Sequence, residues 1–306
     1  MRDFEVVIEQ CRTALSSIDG PQSARRLFHG RGHCFPGFED LTVDYFAGSL
    51  LVGCFSDDET GARTLAEQLA QSLEGVTGVC IQVRQGRQTQ GEVVWGDVPE
   101  ELEVVEAGLR YLVQPMRNQN VGLFLDMAPM RDWVRERASG RNVLNLFAYT
   151  CAFSVAAIAG GARQVVNNDM SRPALNWGER NHQCNDQDLR SVRMLPHNVF
   201  KSWWKIRQFG PYDLVIIDPP TNQRGSFVAE KHYQSVLKRL SELCAPGADV
   251  VACLNSPFLN ADFVPQLMAR WSPECRLIST LPVSEDFPDQ FPDRGLKLNH
   301  FRYQGR

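Results

Sequence analysis

The sequence predicts an α/β fold, a mostly parallel sheet covered by helices on both faces, with a small α+β domain in front of it. Two observations carry that reading. From about residue 101 onward, short apolar runs alternate with helical stretches, as strands joined by helical crossovers do. Ahead of that point, strand-like runs form a hairpin and are followed by a helix. A chain of 306 residues has room for two domains of roughly 100–200 residues each, placed here at 1–100 and 101–306.

The elements follow in order. Phe4, Val7, Ile8, Cys11 and Leu15 fall near helical spacing, so residues 1–20 hold an amphipathic helix that stops at Asp19-Gly20-Pro21. A basic stretch broken by glycines comes next, from Arg25 to His33. Two strand-like runs between Leu41 and Phe55 meet at Ala47-Gly48, a hairpin signal. Leu65, Leu69 and Leu73 mark a helix over 60–73, a strand resumes at 78–84, and the polar Gln85–Gln90 stretch reads as a turn. In the second domain strands are expected at 143–147, 163–169, 191–195, 212–218, 249–254, 275–280 and 296–303. Helices fill 126–139, 152–160, 172–185, 199–208, 227–244 and 260–270. The last strand follows the sixth with no helix between them, so an antiparallel pairing is expected there.

Thirty-two Lys+Arg against 36 Asp+Glu leave a formal net charge of −4. No strongly basic field exists, and any nucleic-acid contact must come from a local patch; Arg25, Arg26, Arg31 and His33 are the densest candidate. No apolar run approaches the roughly 20 residues of a membrane span. The N-terminus carries acids and no long apolar run, unlike a signal peptide. Nine cysteines, odd in number and never spaced C-x-x-C, read as free thiols in a reducing compartment. A cytoplasmic protein is expected.

Open α/β sheets bind ligands beyond the carboxyl ends of their strands, and several chemically able residues sit there. The first strand of the sheet runs into Asn145-Leu146-Phe147-Ala148-Tyr149-Thr150. It lacks the G-x-G-x-x-G turn, which weakens a nicotinamide or flavin reading. Asp169 closes the second strand, 24 residues after Asn145. An acid there can accept hydrogen bonds from both hydroxyls of a ribose, or cap the helix that starts after Ser171. The fourth strand ends in Asp218-Pro219-Pro220-Thr221. Two prolines remove two N–H donors and fix the backbone, leaving carbonyl acceptors beside an acid. That combination suits a planar nitrogen group held in line with an electrophile; a rigid turn is the plainer reading. Cys253, inside the fifth strand, reads as a small core residue.

Further pieces join these: Gly30-Arg31-Gly32, Phe35-Pro36-Gly37-Phe38, Val43-Asp44, Gly122-Leu123-Phe124-Leu125-Asp126 with Arg131, and Val143 to Thr150 with Phe153. In this set the chain resembles the class I S-adenosylmethionine-dependent methyltransferases that modify bases of large-subunit ribosomal RNA, the RlmI and RlmK group. The resemblance runs from about Arg26 to the C-terminus. It implies a Rossmann-like methyltransferase domain with a seven-stranded sheet, S-adenosylmethionine as cofactor, no metal, and an RNA partner. Asn145, Phe147, Ala148, Tyr149 and Thr150 would turn around the methionine part of the cofactor. Phe124, Asp126 and Arg131 would line the same pocket, with Arg131 on the carboxylate. Asp169, with Met170 beside it, would take the ribose, and Asn198 the adenine amino group. Asp218, Pro219 and Pro220 would face the target base as catalytic residues, Asp218 also touching the cofactor.

Three departures qualify the match. Only about two dozen residues precede it, where the family has an RNA-binding domain of the PUA type. Met127 and Ala128 replace polar residues of the pocket wall. Ser256 stands where cytosine-C5 members carry a nucleophilic Cys, and C5 chemistry needs a thiolate. The favoured function is therefore methylation of a nitrogen on an RNA base, ribosomal RNA first. Cytosine-C5 methylation through Cys253, a protein or small-molecule substrate, and a non-catalytic cofactor-binding module are the alternatives. A homodimer is the expected assembly. Trp203 and Trp204 are expected to pack the helix after the third strand, and Phe287 and Phe291 with the acids around them to form a loop over the active site.

Overall fold

Phe4, Val7, Ile8 and Cys11 form one buried stripe along the first helix, α1 (Glu5–Ser16), as their spacing requires. The computed structural model describes residues 2–84, 91–117, 119–223 and 227–305, and the chain divides into two units. The first is Met1–Ala128 with Ser284–Phe291; the second is Pro129–Val283 with Pro292–Arg306.

In the first unit the basic stretch is not a loop at its start. It opens as strand β1 (Ala24–His29), followed by β2 (Leu41–Phe46) and β3 (Ser49–Cys54). Ala47 and Gly48 both have positive φ, 47° and 90°, the two-residue geometry that matches strand twist in a hairpin. Helix α2 (Glu59–Ser72), capped by Asp58 on the Gly61 N–H, crosses over so that β4 (Gly78–Val83) lies parallel to β3. Strand β5 (Gly91–Gly96) completes an antiparallel edge, giving the order β1-β2-β3-β4-β5. The expected Gln85–Gln90 turn lies outside the described residues. A hairpin of β6 (Leu102–Glu106) and β7 (Leu109–Val113) was not foreseen. It bridges to this unit through Ser23 and the Val105 N–H on the Gln22 carbonyl at 2.7 Å, so the division falls at Ala128 and not at residue 100.

The second unit follows the alternation read from the sequence. Its elements are α3 (Ala128–Arg137, starting at the division), β8 (Asn142–Leu146), α4 (Ala152–Ala159), β9 (Gln164–Asp169), α5 (Arg172–Cys184), β10 (Val192–Pro196), α6 (Trp203–Arg207) and β11 (Tyr212–Ile217). A short antiparallel pair follows, β12 (Asn222–Gln223) and β13 (Phe227–Val228), then α7 (Ala229–Leu237), α8 (Leu240–Leu243), β14 (Cys244–Asn255), α9 (Phe263–Trp271), β15 (Cys275–Thr280) and β16 (Leu296–Tyr303). The sheet order is β10-β9-β8-β11-β14-β16-β15. The first five strands are parallel and β16 lies antiparallel between β14 and β15. Val143, Leu144, Val215, Ile216, Val250 and Val251 are fully buried, as expected of strands covered on both faces. The strand order reverses between β8 and β11, which opens a crevice at their carboxyl ends.

Candidate active site

Register places three of the expected residues on one level. Leu146 of β8 pairs with Asn168 of β9 and with Ile217 of β11. The next residue on each strand is Phe147, Asp169 and Asp218. Phe147 and Asp218 leave the ladder at the switch point between β8 and β11, and Asp169 closes β9 next to β8, still paired with Pro196 of β10.

The turn from β8 into α4 has an unusual backbone. Phe147, Tyr149 and Cys151 have φ of 60°, 47° and 61°, left-handed values that cost a residue with a Cβ roughly 1–2 kcal/mol each. Neighbouring groups hold the turn in that form. The Ala148 N–H donates to the Asn168 carbonyl at 3.0 Å, the Tyr149 N–H to Asp169 Oδ2 at 2.9 Å, and Asn181 Nδ2 to the Thr150 carbonyl at 2.9 Å. Helix α5 approaches closely because residue 178 is glycine; a methyl there would lie 2.4 Å from Cys151 Sγ. The chain thus makes a tight strand-to-helix turn without the glycines that such turns commonly use.

Asp169 is partly buried. Its Oδ2 accepts from Tyr149 and its Oδ1 from the Ser171 N–H at 2.7 Å. Each oxygen keeps a second lone pair, which a vicinal diol can fill. This acceptor pair fits the ribose of S-adenosylmethionine. The helix cap falls to Ser171, whose hydroxyl accepts from the Ala174 N–H at 3.2 Å. Met170 is exposed beside it.

Asn145 is placed differently. Its side chain is buried and donates to Asn167 Oδ1 at 2.9 Å, starting a chain of polar groups inside the unit. Asn167 Nδ2 donates to Ser154 Oγ at 2.9 Å, Ser154 pairs with His182 Nε2 at 2.9 Å, and His182 Nδ1 with Gln187 Oε1 at 2.5 Å. Gln187 Nε2 donates to the Val155 carbonyl, so its Oε1 faces the imidazole as acceptor and the proton sits on Nδ1. Burial pushes His182 down to about 4. The network ties β8, β9, α4 and α5 beneath the turn.

Asn198 follows β10 and caps the short turn Val199–Lys201, its Oδ1 accepting from the Phe200 N–H at 2.9 Å. Of the two tryptophans, Trp203 packs on the core and Trp204 is exposed beneath the Lys205 ammonium. At the end of β11, Asp218 and Pro220 are partly buried and Pro219 is buried. Thr221 Oγ1 donates to the Asn255 carbonyl, fastening this loop to the end of β14. The loop beyond Asn255 carries Phe258, 89% exposed. Sequence reading passed over Phe258, because a lone aromatic in a loop has no periodic signal.

Cys253 is fully buried in β14, its sulfur 3.6 Å from Met130 Sδ. Ser256 is buried too, and its hydroxyl accepts from the Phe258 N–H at 3.3 Å. Arg131 is buried on α3 in the second unit, whereas Phe124 and Asp126 belong to the first, Phe124 exposed and Asp126 on the turn Leu125–Met127. The segment expected over the active site, Ser284–Phe291, is a part of the first unit. Asp286 takes the Arg25 guanidinium with both oxygens, at 2.7 and 2.9 Å, and Phe287 lies 4.5 Å under Arg26. These contacts fix the segment to β1.

The family profile of S-adenosylmethionine-dependent methyltransferases matches residues 25–302. Ribosomal RNA large subunit methyltransferase I of Aeromonas salmonicida is 27% identical, over 85% of this chain and 71% of that protein. Ribosomal RNA large subunit methyltransferase K/L of Hahella chejuensis is 28% identical over 70% of this chain and 32% of its own. The crystal structure of SMU.776 complexed with SAH shares the fold with a TM-score of 0.87 at 21% identity, covering 99% of this chain and 82% of that one. No helix among the described residues is long and apolar enough to cross a membrane. A profile match that reaches through both units, on a fold shared almost end to end, makes this chain a member of the S-adenosylmethionine-dependent methyltransferase family.

Proposed function

We propose that the chain methylates a ring or amino nitrogen of an RNA base, with ribosomal RNA as the leading substrate. The observation that carries the nitrogen assignment is the burial of Cys253 against Met130, with the Ser256 hydroxyl also buried, on the Phe258 N–H. C5 methylation of cytosine needs a thiolate that attacks C6, and neither side chain offers one to a base. A nitrogen brings its own lone pair and asks mainly for alignment and electrostatic support.

S-adenosylmethionine, when bound, would supply an electrophilic methyl group to the lone pair of the target nitrogen, with S-adenosylhomocysteine as the leaving group and the proton of an N–H target passing to Asp218. Asp169 holds the ribose diol, the turn Phe147–Thr150 wraps the amino-acid part, and Asn198 reaches the adenine amino group. Within the second unit, Arg131 on α3 serves the carboxylate of the amino-acid part. Asp218 accepts an N–H of the target base and so orients the nitrogen lone pair. Pro219 and Pro220 fix the backbone that carries it. Phe258 offers a flat apolar face on which the base stacks. The first unit contacts RNA. The names of the relatives support the RNA substrate, and a ribosomal substrate implies action in the cytoplasm.

The test is transfer of radiolabelled methyl groups into RNA from cells lacking the protein, followed by nucleoside analysis. An N-methylated nucleoside is expected. Label in 5-methylcytosine would overturn the nitrogen assignment, and label confined to protein would overturn the RNA assignment.

A further inference from the structure

Of the four cationic residues that the sequence marks as a basic patch, two are already spent. Arg25 is held by Asp286, and Arg26 by Asp44 through both of its oxygens while also donating to His29 Nδ1 at 2.6 Å. Arg31 has a different fate. It sits on the turn Gly30–Gly32, between two glycines that neighbouring backbone clamps. A methyl on Gly30 would lie 1.8 Å from the Phe38 carbonyl oxygen, and one on Gly32 1.7 Å from that of Pro288. The Gln290 N–H adds a bond to the Gly32 carbonyl at 2.7 Å. The turn is therefore rigid, and Arg31 is its one long side chain.

The Arg31 guanidinium stacks 3.9 Å above the Phe55 ring, and Arg84 comes to the same ring at 5.1 Å. Among the described residues, no carboxylate lies within ion-pair distance of either, and Arg84 Nε is buried with no hydrogen-bond partner. The nearby acid, Asp44, is already engaged by Arg26. Burial and the charge of Arg26 push the Arg31 guanidinium down from its usual range. Burial likewise pushes Arg84 down, with Arg26 and Arg31 adding to the effect against the pull of Asp44. Stacking on one phenyl ring attracts both cations without neutralising them. Arg31 is exposed and Arg84 half-buried, so the two forks share one aromatic ring with no carboxylate between them, and an anion with several acceptor oxygens can take donors from both.

We propose that Arg31 and Arg84, stacked on Phe55, form a preorganised phosphate-binding site of the first unit that grips the phosphodiester backbone of the RNA substrate. This rests on the RNA reading given above. It gives an acidic chain the local contact that its net charge denies it globally.

The test compares wild type, Arg31→Gln/Arg84→Gln and Arg12→Gln, the last an exposed arginine paired with Glu9. Binding of a fluorescein-labelled single-stranded oligoribonucleotide is followed by anisotropy across a salt series, with calorimetry of S-adenosylmethionine binding as the check on folding. The double variant is expected to lose about 1.4 from the log–log salt slope, about 0.7 for each phosphate contact. It should bind the cofactor as wild type does, and Arg12→Gln should keep the slope. Sulfate should raise the unfolding temperature of wild type and not of the double variant. An unchanged slope together with an unchanged sulfate response in a folded double variant overturns the site and leaves the RNA reading standing. Wild type that binds no RNA sinks both. A sulfate response lost in the double variant with the slope intact shows a site for a free anion, which overturns the RNA assignment of these arginines.

Discussion

Asp169 serves two partners with one carboxylate, which shapes what its replacement does. Asp169→Ala frees the N–H groups of Tyr149 and Ser171 and removes the acceptor proposed for the ribose diol. Affinity for S-adenosylmethionine is expected to fall by about 1.5–3 kcal/mol, the range for hydrogen bonds to a charged group. Calorimetry with an unchanged affinity in the folded variant would remove Asp169 from the ribose role. Phe258 is the opposite kind of residue, an apolar side chain left in water. Phe258→Ala should change stability by no more than about 0.5 kcal/mol. It should lower kcat/KM for RNA by about 1–3 kcal/mol, the worth of one base stacked on an aromatic ring. Unaltered turnover would rule out the stacking role. Cys253→Ser puts a hydroxyl beside the Met130 sulfur, so a loss of about 1–3 kcal/mol in stability is expected, with methyl transfer retained in the folded fraction. A covalent complex of wild type with RNA containing 5-fluorocytosine would reverse that expectation.

At the scale of elements, the turn after β8 and helix α5 have to be considered together. Gly178→Ala drives a methyl into Cys151, and the overlap should cost about 1–3 kcal/mol and loosen the turn after β8. Cys151→Gly removes the colliding side chain and relieves a left-handed φ of 61°. The double variant should therefore recover most of the loss, a strong positive coupling between two contacting positions. Additive unfolding free energies in denaturant would contradict it. The same region shows how far the sequence could be read. Strands β8, β9, β11 and β14 announce themselves through runs of buried apolar residues such as Val143-Leu144, Val165-Val166, Val215-Ile216-Ile217 and Val250-Val251. Asp169 and Asp218 are legible as acids closing such runs. Strands β5 and β6 are not, because β5 is largely exposed and β6 shows only one fully buried residue. The arginines of β1 conceal a strand because they point at acids of β2 and of a segment far along the chain. Asn145 is legible as part of the turn sequence, but which way its side chain points depends on Asn167, which only the register of two strands reveals.

For the molecule as a whole, acid is the informative variable, since an imidazole that resists protonation occurs in each unit, half-buried His29 in the first and buried His182 in the second. Burial, followed by the charges of Arg26 and Arg31, pushes His29 down to about 3, and burial pushes His182 down to about 4. Both folded values lie below the unfolded value of about 6.5. Between the two values the unfolded chain takes up a proton that the native chain refuses, so stability is complete above about pH 6.5 and is lost as pH falls toward 4. For His182 the loss is on the order of 3 kcal/mol. Asp249 adds to it at lower pH: burial raises its pKa, but hydrogen bonds from His300 at 2.7 Å and Arg141 at 2.5 Å outweigh that and hold the carboxyl below its usual value. Its share is present above the unfolded pKa and disappears below it. The unfolding temperature should therefore drop between about pH 7 and pH 5, and His182→Gln should flatten the drop. A flat or rising profile in calorimetry would contradict the assignment. The return of Ser284–Phe291 to the first unit bears on the order of synthesis. Arg25 finds its carboxylate and Arg26 its aromatic ring only in residues made 261 positions later. On a ribosome adding roughly 5–20 residues per second, the part of the protein begun first stays unfinished for about another ten seconds or more after Ala128 is made. A nascent chain stalled before Ser284 should expose β1 to protease, and a fragment cut at Ala128 should inherit the same defect.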